Sequence, residues 1–313
     1  MKVCIVGAGS LGTTIGGALA LNGNEVHLIG RKKNMDVINE SGLTLVFPDG
    51  SESVAQVQAH ENADGIGSCD LVIVLCKAFD TETLIRESLE LVGFDTVVLS
   101  LQNGLGSEDL LCDIVGKEHV IGGKTYIGGM ALSPGKTQAT IPGKQTLIGE
   151  LDGSITQRIV KIGEAFNAAG METVVSDNIM GVIWDKLFIN VATGAVCGIT
   201  GLPYGDMYQM PELVETAEKA VQEAIDVSVA AGVVTSGRAP HEVLELAREN
   251  LPYDFKPSIL QSLEKKRPTE ISVINGAVVR YGEKYNIPTP VNEVLAACIK
   301  GIERRIKEYD LEV

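Results

Sequence analysis

The first half of the chain contains several short apolar runs, and each of them is bounded by turn-forming residues. Apolar runs of about four to eight residues predict buried strands, which we assign to residues 2–6, 25–29, 71–75 and 97–101. Residues 13–22 and 79–91 lie between members of this series and predict helices. Strands that alternate with helices favour a parallel, doubly wound sheet of the Rossmann type.

The same half also carries patterns typical of antiparallel strands. Residues 43–47 and 51–57 flank Asp49-Gly50, which is a strong hairpin signal. From residue 119 to 150 short strand patterns are joined by glycine-rich turns, and we expect these strands to extend the sheet in antiparallel fashion. A helix at 154–169 and a strand at 172–175 complete this part of the chain.

Beyond residue 177 the pattern becomes almost entirely helical. We predict helices at 178–197, 211–231, 241–250, 268–285 and 292–309. The sequence therefore predicts an α/β protein in which an N-terminal Rossmann-type doubly wound sheet (residues 1–177) is followed by an all-α C-terminal domain (residues 178–313). We expect a two-domain enzyme with a cleft between the two.

Composition narrows the class of protein. A length of 313 residues favours two domains, and a formal charge of −15 argues against a nucleic-acid partner, because phosphate binding needs a basic surface. No apolar run reaches the roughly 18 residues of a membrane span, and the first strand leaves no room for a signal peptide. We therefore expect a cytoplasmic protein that does not associate with a membrane. The six cysteines form no Cys-x-x-Cys pair, which favours buried free thiols over disulfides or a metal site.

The first strand ends in Gly7-Ala8-Gly9-Ser10-Leu11-Gly12, a Gly-x-Gly-x-x-Gly motif. Because the motif follows a strand and opens a helix, it is typical of dinucleotide binding. Its glycines allow a tight turn, a close approach of the pyrophosphate and close contact between helix and strand. Backbone N–H groups at the helix start then face the phosphates. A glycine-rich turn without a ligand is the alternative.

Three further residues mark a cofactor site at the ends of strands. Arg31 follows the second strand, where NAD-binding domains usually carry an acid for the ribose hydroxyl. An arginine can hold a 2′-phosphate with two hydrogen bonds, so we expect NADP(H) rather than NAD(H). Lys77 and Asn103 follow the next two buried strands, beyond whose carboxyl ends ligands bind. Solvated loop positions are the alternative for all three.

The helical half contributes residues able to do chemistry. Lys186 and Asn190 are four residues apart and share one face of a helix, while residues 187–189 are apolar. Either this lysine and amide reach towards solvent, or they face a polar cleft. Glu270 follows Pro268, which suits the first turn of a helix. Glu270 therefore fits both an acid that favours a helix start and a residue of the site.

In combination, these motifs resemble those of the ketopantoate reductase (2-dehydropantoate 2-reductase) family. The matching segments are residues 7–12, Cys76-Lys77, Gln102-Asn103-Gly104, Trp184-x-Lys186-x-x-x-Asn190, and residues 258–261 followed by 267–271. They occur in the order and spacing of the family across essentially the whole chain, which makes the combination specific for the family.

The resemblance implies an NADPH-dependent reduction of a 2-oxo acid, in the first place of ketopantoate in pantothenate and coenzyme A biosynthesis. It implies that Lys186 is the general acid that protonates the ketone oxygen, and that Glu270 orients this lysine and contacts the substrate. A lysine suits this role because its charge stabilises the alkoxide that forms. The positions matched to substrate binding are Asn103, Asn190 and Ser258. Those matched to cofactor binding are Gly7, Ala8, Gly9, Ser10, Leu11, Gly12, Arg31, Lys77, Asn103 and Glu270.

Two positions depart from the family pattern. Gly194 stands where the family often has a second asparagine that binds the substrate hydroxyl, and Ser262 replaces an aspartate of the late motif. A site built to bind a hydroxyl discriminates strongly for it, so reduction of another 2-oxo acid or of an imine stays open. A non-catalytic NADP(H) sensor is a third reading. The long apolar C-terminal helices also offer a surface for a homodimer.

Overall fold

The computed structural model describes residues 1–309, so the last four residues of the predicted second domain, 310–313, lie outside it. Contacts within the chain divide it into two compact units. The first unit comprises Met1–Gln102 and Ser107–Ile179, and the second comprises Asn103–Gly106 together with the chain from Met180 onward.

The segment Asn103–Gly106 packs with the second unit although the predicted boundary places it in the first domain. The backbone N–H of Leu105 donates to the carbonyl of Val273 at 2.8 Å. Gly104, at φ +90°, lies so close to Val273 that a Cβ on it would be 2.4 Å from that same carbonyl oxygen. A pairing across almost 170 residues cannot be read from local sequence pattern.

Within residues 1–309 the strands all lie in the first unit and form two sheets. In chain order they are β1 (Lys2–Val6), β2 (Glu25–Ile29), β3 (Leu43–Val46), β4 (Glu52–Ala55), β5 (Gln58–His60), β6 (Leu71–Val74), β7 (Val97–Ser100), β8 (Val120–Thr125), β9 (Gly128–Ser133), β10 (Lys136–Thr140), β11 (Thr146–Glu150) and β12 (Thr173–Val175). The larger sheet has the order β12-β11-β8-β7-β6-β1-β2-β5. Its strands from β8 to β5 are parallel, and β11 is antiparallel to β8.

The larger sheet is buried on both faces, as a doubly wound sheet requires. The helices of this unit are α1 (Ser10–Leu21), α2 (Lys32–Ser41), α3 (Thr81–Arg86), α4 (Ser107–Val115) and α5 (Gln157–Ala168). Along β1, Val3 and Ile5 enter one core, and Cys4 and Val6 enter the other, because side chains alternate across a strand. Helices α1 and α5 line the first core, and α3 and α4 line the second. The predicted Rossmann-type fold class is confirmed.

The expected antiparallel extension of the main sheet over 119–150 is only partly correct. β8 joins the sheet in parallel and β11 in antiparallel fashion, but β9 and β10 leave it. They join the predicted hairpin of β3 and β4 in a separate sheet ordered β4-β3-β10-β9. Packing on α1 explains this arrangement, because the hydroxyls of Thr13 and Thr137 are hydrogen-bonded at 2.8 Å and Gly129 leaves room for the Ser10 carbonyl.

In the described part of the second unit, the regular secondary structure is helical. Its helices are α6 (Ile179–Thr200), α7 (Tyr204–Tyr208), α8 (Pro211–Ala230), α9 (Pro240–Asn250), α10 (Ser258–Glu264), α11 (Asn275–Tyr285) and α12 (Pro290–Tyr309). The predicted helices at 178–197, 211–231, 241–250 and 292–309 are confirmed with small shifts of their ends. The sequence pattern missed the shorter α7 and α10, and in the first unit it missed α2 and α4.

Two predicted helices differ from the structure. The helix predicted at 79–91 is divided into α3 and two 3₁₀ turns. The helix predicted at 268–285 begins only at Asn275, after a 3₁₀ turn at Ile271–Val273 and a break at Ile274 with φ −105° and ψ −100°. The Val273 carbonyl is engaged by the Leu105 amide and so does not continue a helical ladder. Glu270 therefore precedes a 3₁₀ turn instead of lying in the first turn of a long helix.

One helix in the described part of the chain, α6, is long and apolar enough to cross a membrane by length and composition. The expectation concerned an uninterrupted apolar run, and α6 is not one, because the charged residues Asp185 and Lys186 lie within it. However, 67% of its most apolar window is buried inside the protein, as in the core helix of a water-soluble domain.

The cysteines are free thiols, but they are not all buried as expected. Cys4, Cys69 and Cys197 are buried, and Cys76 and Cys112 are half-buried. Cys298 is exposed, because α12 presents this position to solvent.

Candidate active site

The glycine loop at the end of β1 is held by its neighbours on two sides. Gly7 has φ +101°, and a Cβ there would lie 2.2 Å from the backbone nitrogen of Cys76. A Cβ on Gly12 would lie 2.6 Å from the Gly7 carbonyl oxygen. Gly9 differs, since nothing lies within 4 Å of its Cβ position. The loop is thus closed towards the sheet and open beside Gly9.

Helix α1 begins directly after Gly9 with neither a capping side chain nor an acidic residue in its first turn. The first N–H groups of an α-helix lack acceptors within the helix. Ser10 lies in this turn, and its hydroxyl accepts the amide of Ala131 on β9 at 3.1 Å. Ala8 is buried and Leu11 packs partly into the core, and both side chains are apolar. The polar groups that Ala8 and Leu11 present are therefore those of their backbone.

Arg31 lies next to the glycine loop because that loop is bonded to the end of β2. The amides of Gly7 and Ala8 both donate to the carbonyl of Ile29, at 3.2 and 2.8 Å. Arg31 then precedes α2, and its side chain is exposed. Within residues 1–309 it has no ion-pair partner, whereas the adjacent Lys32 pairs with Asp36 and Glu61. A guanidinium without an ion-pair partner, beside backbone amides at a helix start, has the chemistry that suits a phosphate.

Lys77 and the residues around it follow the end of β6. Lys77 is exposed and precedes a 3₁₀ turn at Ala78–Asp80. The buried side chain of Gln102, at the end of β7, donates to the carbonyl of Cys76 and to the hydroxyl of Thr81, both at 2.8 Å. The β6 end is thereby tied to the β7 end.

A buried acid follows this strand end. Glu108, in the first turn of α4, is 4% exposed, and one of its carboxyl oxygens, Oε2, has no hydrogen-bond partner. Burial raises the pKa of Glu108 to about 7, although a hydrogen bond with its own backbone, the charge of Lys124 and a hydrogen bond from Ser100 oppose the rise. Neither Gln102 nor Glu108 was a predicted site residue, because the burial of a polar side chain cannot be read from the sequence.

In the second unit, Lys186 and Asn103 form a hydrogen bond. Lys186 Nζ donates to Asn103 Oδ1 at 3.3 Å, across 83 positions of sequence. Lys186 lies on α6 and is half-buried. Trp184, two residues earlier on α6, is fully buried. Its ring centroid lies 6.1 Å from that of Phe188 and 5.9 Å from that of Tyr281, against which it packs edge-on. This packing fixes the rotation of α6.

The Asn103 segment also binds the turn that carries Glu270. Leu105 donates its amide to Val273, and the Val273 amide in turn donates to the Glu270 carbonyl at 3.0 Å. Glu270 is 8% exposed. Residues 103–106 therefore connect the lysine on α6 with the buried acid before α11, and the structure brings Asn103, Lys186 and the Glu270 turn together within one unit.

Asn190 and Ser258 lie on the neighbouring helices α6 and α10. Asn190 is half-buried one turn after Lys186, and Ser258 is the exposed first residue of α10. The next residue of α10, Ile259, packs on α6, where its Cδ1 lies 3.1 Å from the Cβ position of Gly194. The place where the family often has an asparagine is thus next to an apolar side chain.

The predicted site residues fall into two groups in the structure. The first unit carries residues 7–12, Arg31 and Lys77, and the second unit carries Asn103, Lys186, Asn190, Ser258 and Glu270. Each group forms a local arrangement that can act chemically: a glycine loop at a helix start with a guanidinium beside it, and a lysine bonded to an amide whose segment is bonded to the turn of a buried acid.

Comparison with known proteins gives the family of both halves. The family model "Ketopantoate reductase PanE/ApbA" matches residues 3–153, and its C-terminal counterpart matches residues 178–303. A curated 2-dehydropantoate 2-reductase from Pyrococcus horikoshii is 32% identical over 309 residues, covering 97% of this chain and 98% of that protein.

Solved structures show the same similarity. The crystal structure of a PanE/ApbA family ketopantoate reductase from Ralstonia eutropha superposes with a TM-score of 0.89 at 30% identity, covering 98% of this chain and all of that one. The ternary structure of D-mandelate dehydrogenase with NADH and anilino(oxo)acetate superposes with a TM-score of 0.88 at 27% identity, with the same coverage.

Proposed function

The chain belongs to the ketopantoate reductase family, and we propose that it reduces the ketone of 2-dehydropantoate to the alcohol of pantoate with NADPH as the reductant. The single observation that supports this most directly is the hydrogen bond from Lys186 Nζ to Asn103 Oδ1. It presents an oriented cation, and the reduction of a ketone requires a proton donor at the oxygen.

The residues of the first unit fit a dinucleotide. Nothing lies within 4 Å of the Cβ position of Gly9, which suits the close approach of a pyrophosphate to the first turn of α1, where backbone amides lack helical acceptors. Arg31 supports the choice of NADP(H), because its guanidinium suits a 2′-phosphate and an acid for the free ribose hydroxyl is missing at that place. Lys77 adds a second positive charge at the end of β6.

When bound, the nicotinamide supplies the hydride that reduces the carbonyl carbon. Lys186 donates a proton to the ketone oxygen and its charge stabilises the negative charge that develops there. Asn103 holds the ammonium in position, and the buried Glu270, whose turn is bonded to the Asn103 segment, orients this lysine. Asn190 and Ser258 bind the substrate from α6 and α10.

This assignment gives each part of the chain one task. Residues 1–177 bind the cofactor, and residues 178–313 bind the substrate and carry the proton donor, which Asn103 from the first segment holds in position. The partner is a small 2-oxo acid, and the protein works in the cytoplasm without nucleic acid or membrane, as a monomer or a homodimer.

The test is an assay of NADPH oxidation, followed by absorbance, with ketopantoate and a panel of other 2-oxo acids. We expect ketopantoate to have the highest kcat/KM. A higher kcat/KM for another acid would overturn the choice of substrate. Tight binding of NADPH with no turnover of any oxo acid would overturn the enzymatic role and favour a sensor.

A second candidate is reduction of a 2-oxo acid whose side chain is apolar. The contact of Ile259 with Gly194 favours it, because a methyl group of Ile259 on α10 lies beside the position on α6 where the family often has an amide for a substrate hydroxyl. A site without a polar partner discriminates weakly in favour of a hydroxyl. The same panel separates the two, since 2-oxoisovalerate lacks the hydroxymethyl group of ketopantoate and should then be reduced with equal or higher kcat/KM.

A further inference from the structure

Gln102 is a buried amide at the end of β7, where the chain leaves the first unit. Its side chain is 7% exposed. Nε2 uses both hydrogens, donating to the Cys76 carbonyl and to the Thr81 hydroxyl, each at 2.8 Å. The two acceptors define the orientation of the amide and leave Oε1 buried without a partner. An apolar residue of the same size would avoid the cost of the buried, unpaired oxygen, but it could not donate these two hydrogen bonds. The two donated bonds are therefore what the amide contributes here.

Both bonds end in the turn that contains Lys77. Cys76 precedes Lys77, and Thr81 follows the 3₁₀ turn and donates its own hydroxyl to the Lys77 carbonyl at 3.4 Å. On its other side the Cys76 backbone lies against Gly7, whose missing Cβ would be 2.2 Å from the Cys76 nitrogen. The turn is therefore held between Gln102 and the glycine loop.

We propose that Gln102 is a positioning residue for cofactor binding: it holds the Cys76–Thr81 turn, and with it Lys77, in register with the glycine loop. The proposal rests on the proposed function, in which Lys77 and the loop bind NADP(H). Gln102 touches neither the substrate nor the reacting atoms in this role. Its effect on the reaction passes through the backbone of the turn.

The proposal separates cofactor binding from the chemical step. Although Asn103 is adjacent to Gln102, it is held independently, because Leu105 is bonded to Val273 and Asn103 itself to Lys186. Loss of the Gln102 bonds should therefore weaken the binding of NADPH while leaving the turnover of bound NADPH nearly intact.

The opposite end of the same two strands provides a matched control. Thr96, 3% exposed and immediately before β7, donates its hydroxyl to the carbonyl of Cys69, just before β6, at 2.6 Å. It also accepts the Gly93 amide at 2.8 Å. Thr96 thus ties the same strands by the same kind of bond, but far along the strands from the glycine loop.

The experiment compares Gln102→Met, which keeps the volume and removes both donors, with Thr96→Val. Thr81→Val removes one of the two acceptors of Gln102, together with the long bond from the Thr81 hydroxyl to the Lys77 carbonyl, and serves if Gln102→Met does not fold. We expect the Kd of NADPH, measured by fluorescence titration, to rise about tenfold or more in Gln102→Met, as for a displaced binding group, and less in Thr81→Val. kcat at saturating NADPH should change less than about threefold. Thr96→Val should leave both quantities unchanged.

Hydrogen exchange locates the effect. The Asp80 amide, bonded to the Lys77 carbonyl at 2.8 Å, should exchange faster in Gln102→Met, and the Gly93 amide should do so in Thr96→Val. Equal rises of the NADPH Kd in Gln102→Met and Thr96→Val would overturn the proposal, as would a loss confined to kcat. If the wild type binds neither NADPH nor NADH, the proposed function fails and the positioning role fails with it. If it binds NADPH but reduces no 2-oxo acid, only the proposed function fails.

Discussion

Replacing Glu108 by Gln should change how the stability of the first unit depends on pH. Burial raises the pKa of this carboxyl from its ordinary 4.5 to about 7. Since each pKa unit is worth about 1.4 kcal/mol, the rise corresponds to about 3 kcal/mol of preference for the protonated form in the folded state. A glutamine has nearly the same shape as the protonated acid and does not titrate.

The sign follows from proton binding. The folded-state pKa of Glu108 lies above the unfolded value, so between the two the folded protein binds more protons and its stability falls as the pH rises. The contribution of the protonated acid is fully present below about pH 4.5 and is lost as the pH passes through about 7. We therefore compare the free energy of unfolding of the wild type with that of Glu108→Gln. The difference, wild type minus variant, should decrease by about 3 kcal/mol between pH 4.5 and 8.5.

Hydrogen exchange of the amides in β7 measures this difference, because it reports opening of the first unit without requiring both units to unfold together. The groups that interact with Glu108, namely Lys124, Ser100 and Asp109, are unchanged in the variant. Glu164→Gln, which removes a carboxylate at an exposed position of α5, is the control for the loss of a charge alone. A difference between wild type and Glu108→Gln that stays constant within about 0.5 kcal/mol from pH 4.5 to 8.5 would refute the reasoning.

The remaining predictions concern the site itself. Lys186→Ala should lower kcat by about 10²- to 10⁴-fold, the usual worth of a general acid, with an unchanged Kd of NADPH; retained turnover in the absorbance assay would contradict the assignment. Arg31→Ala should weaken NADPH by about tenfold or more, since a charged hydrogen bond is lost, and leave NADH nearly unaffected in fluorescence titrations; equal losses for both cofactors would count against a phosphate contact. Gly7→Ala should destabilise the protein by more than about 2 kcal/mol in denaturant unfolding, because a Cβ at φ +101° would overlap the Cys76 backbone. Gly9→Ala should keep its stability, since its Cβ position is open, yet bind NADPH more weakly; the opposite order of stabilities would show that the loop is held differently.

Much of the fold and part of the site follow from sequence pattern alone. The buried strands and the long helices are local features, and their two- and 3.6-residue repeats are visible in short windows. The glycine loop and Arg31 are also local, because a motif directly after β1 and a residue directly after β2 must lie at the same edge of a parallel sheet. That Lys186 and Asn190 share one face of α6 could be predicted from their spacing of four residues alone.

Only the tertiary structure decided how these pieces are held. The segment Asn103–Gly106 joins the helical unit through Val273, and the same contact shortens the helix expected from 268 so that Glu270 precedes a 3₁₀ turn. The burial of Gln102 and Glu108 and the contact of Ile259 with Gly194 depend on neighbours distant in the chain. The physical reason is that local pattern records which face of an element is apolar. It does not record which distant donor, acceptor or methyl group will meet a given side chain. Those distant partners determine the hydrogen bond of Lys186, the pKa of Glu108 and the close approach of Ile259 to Gly194.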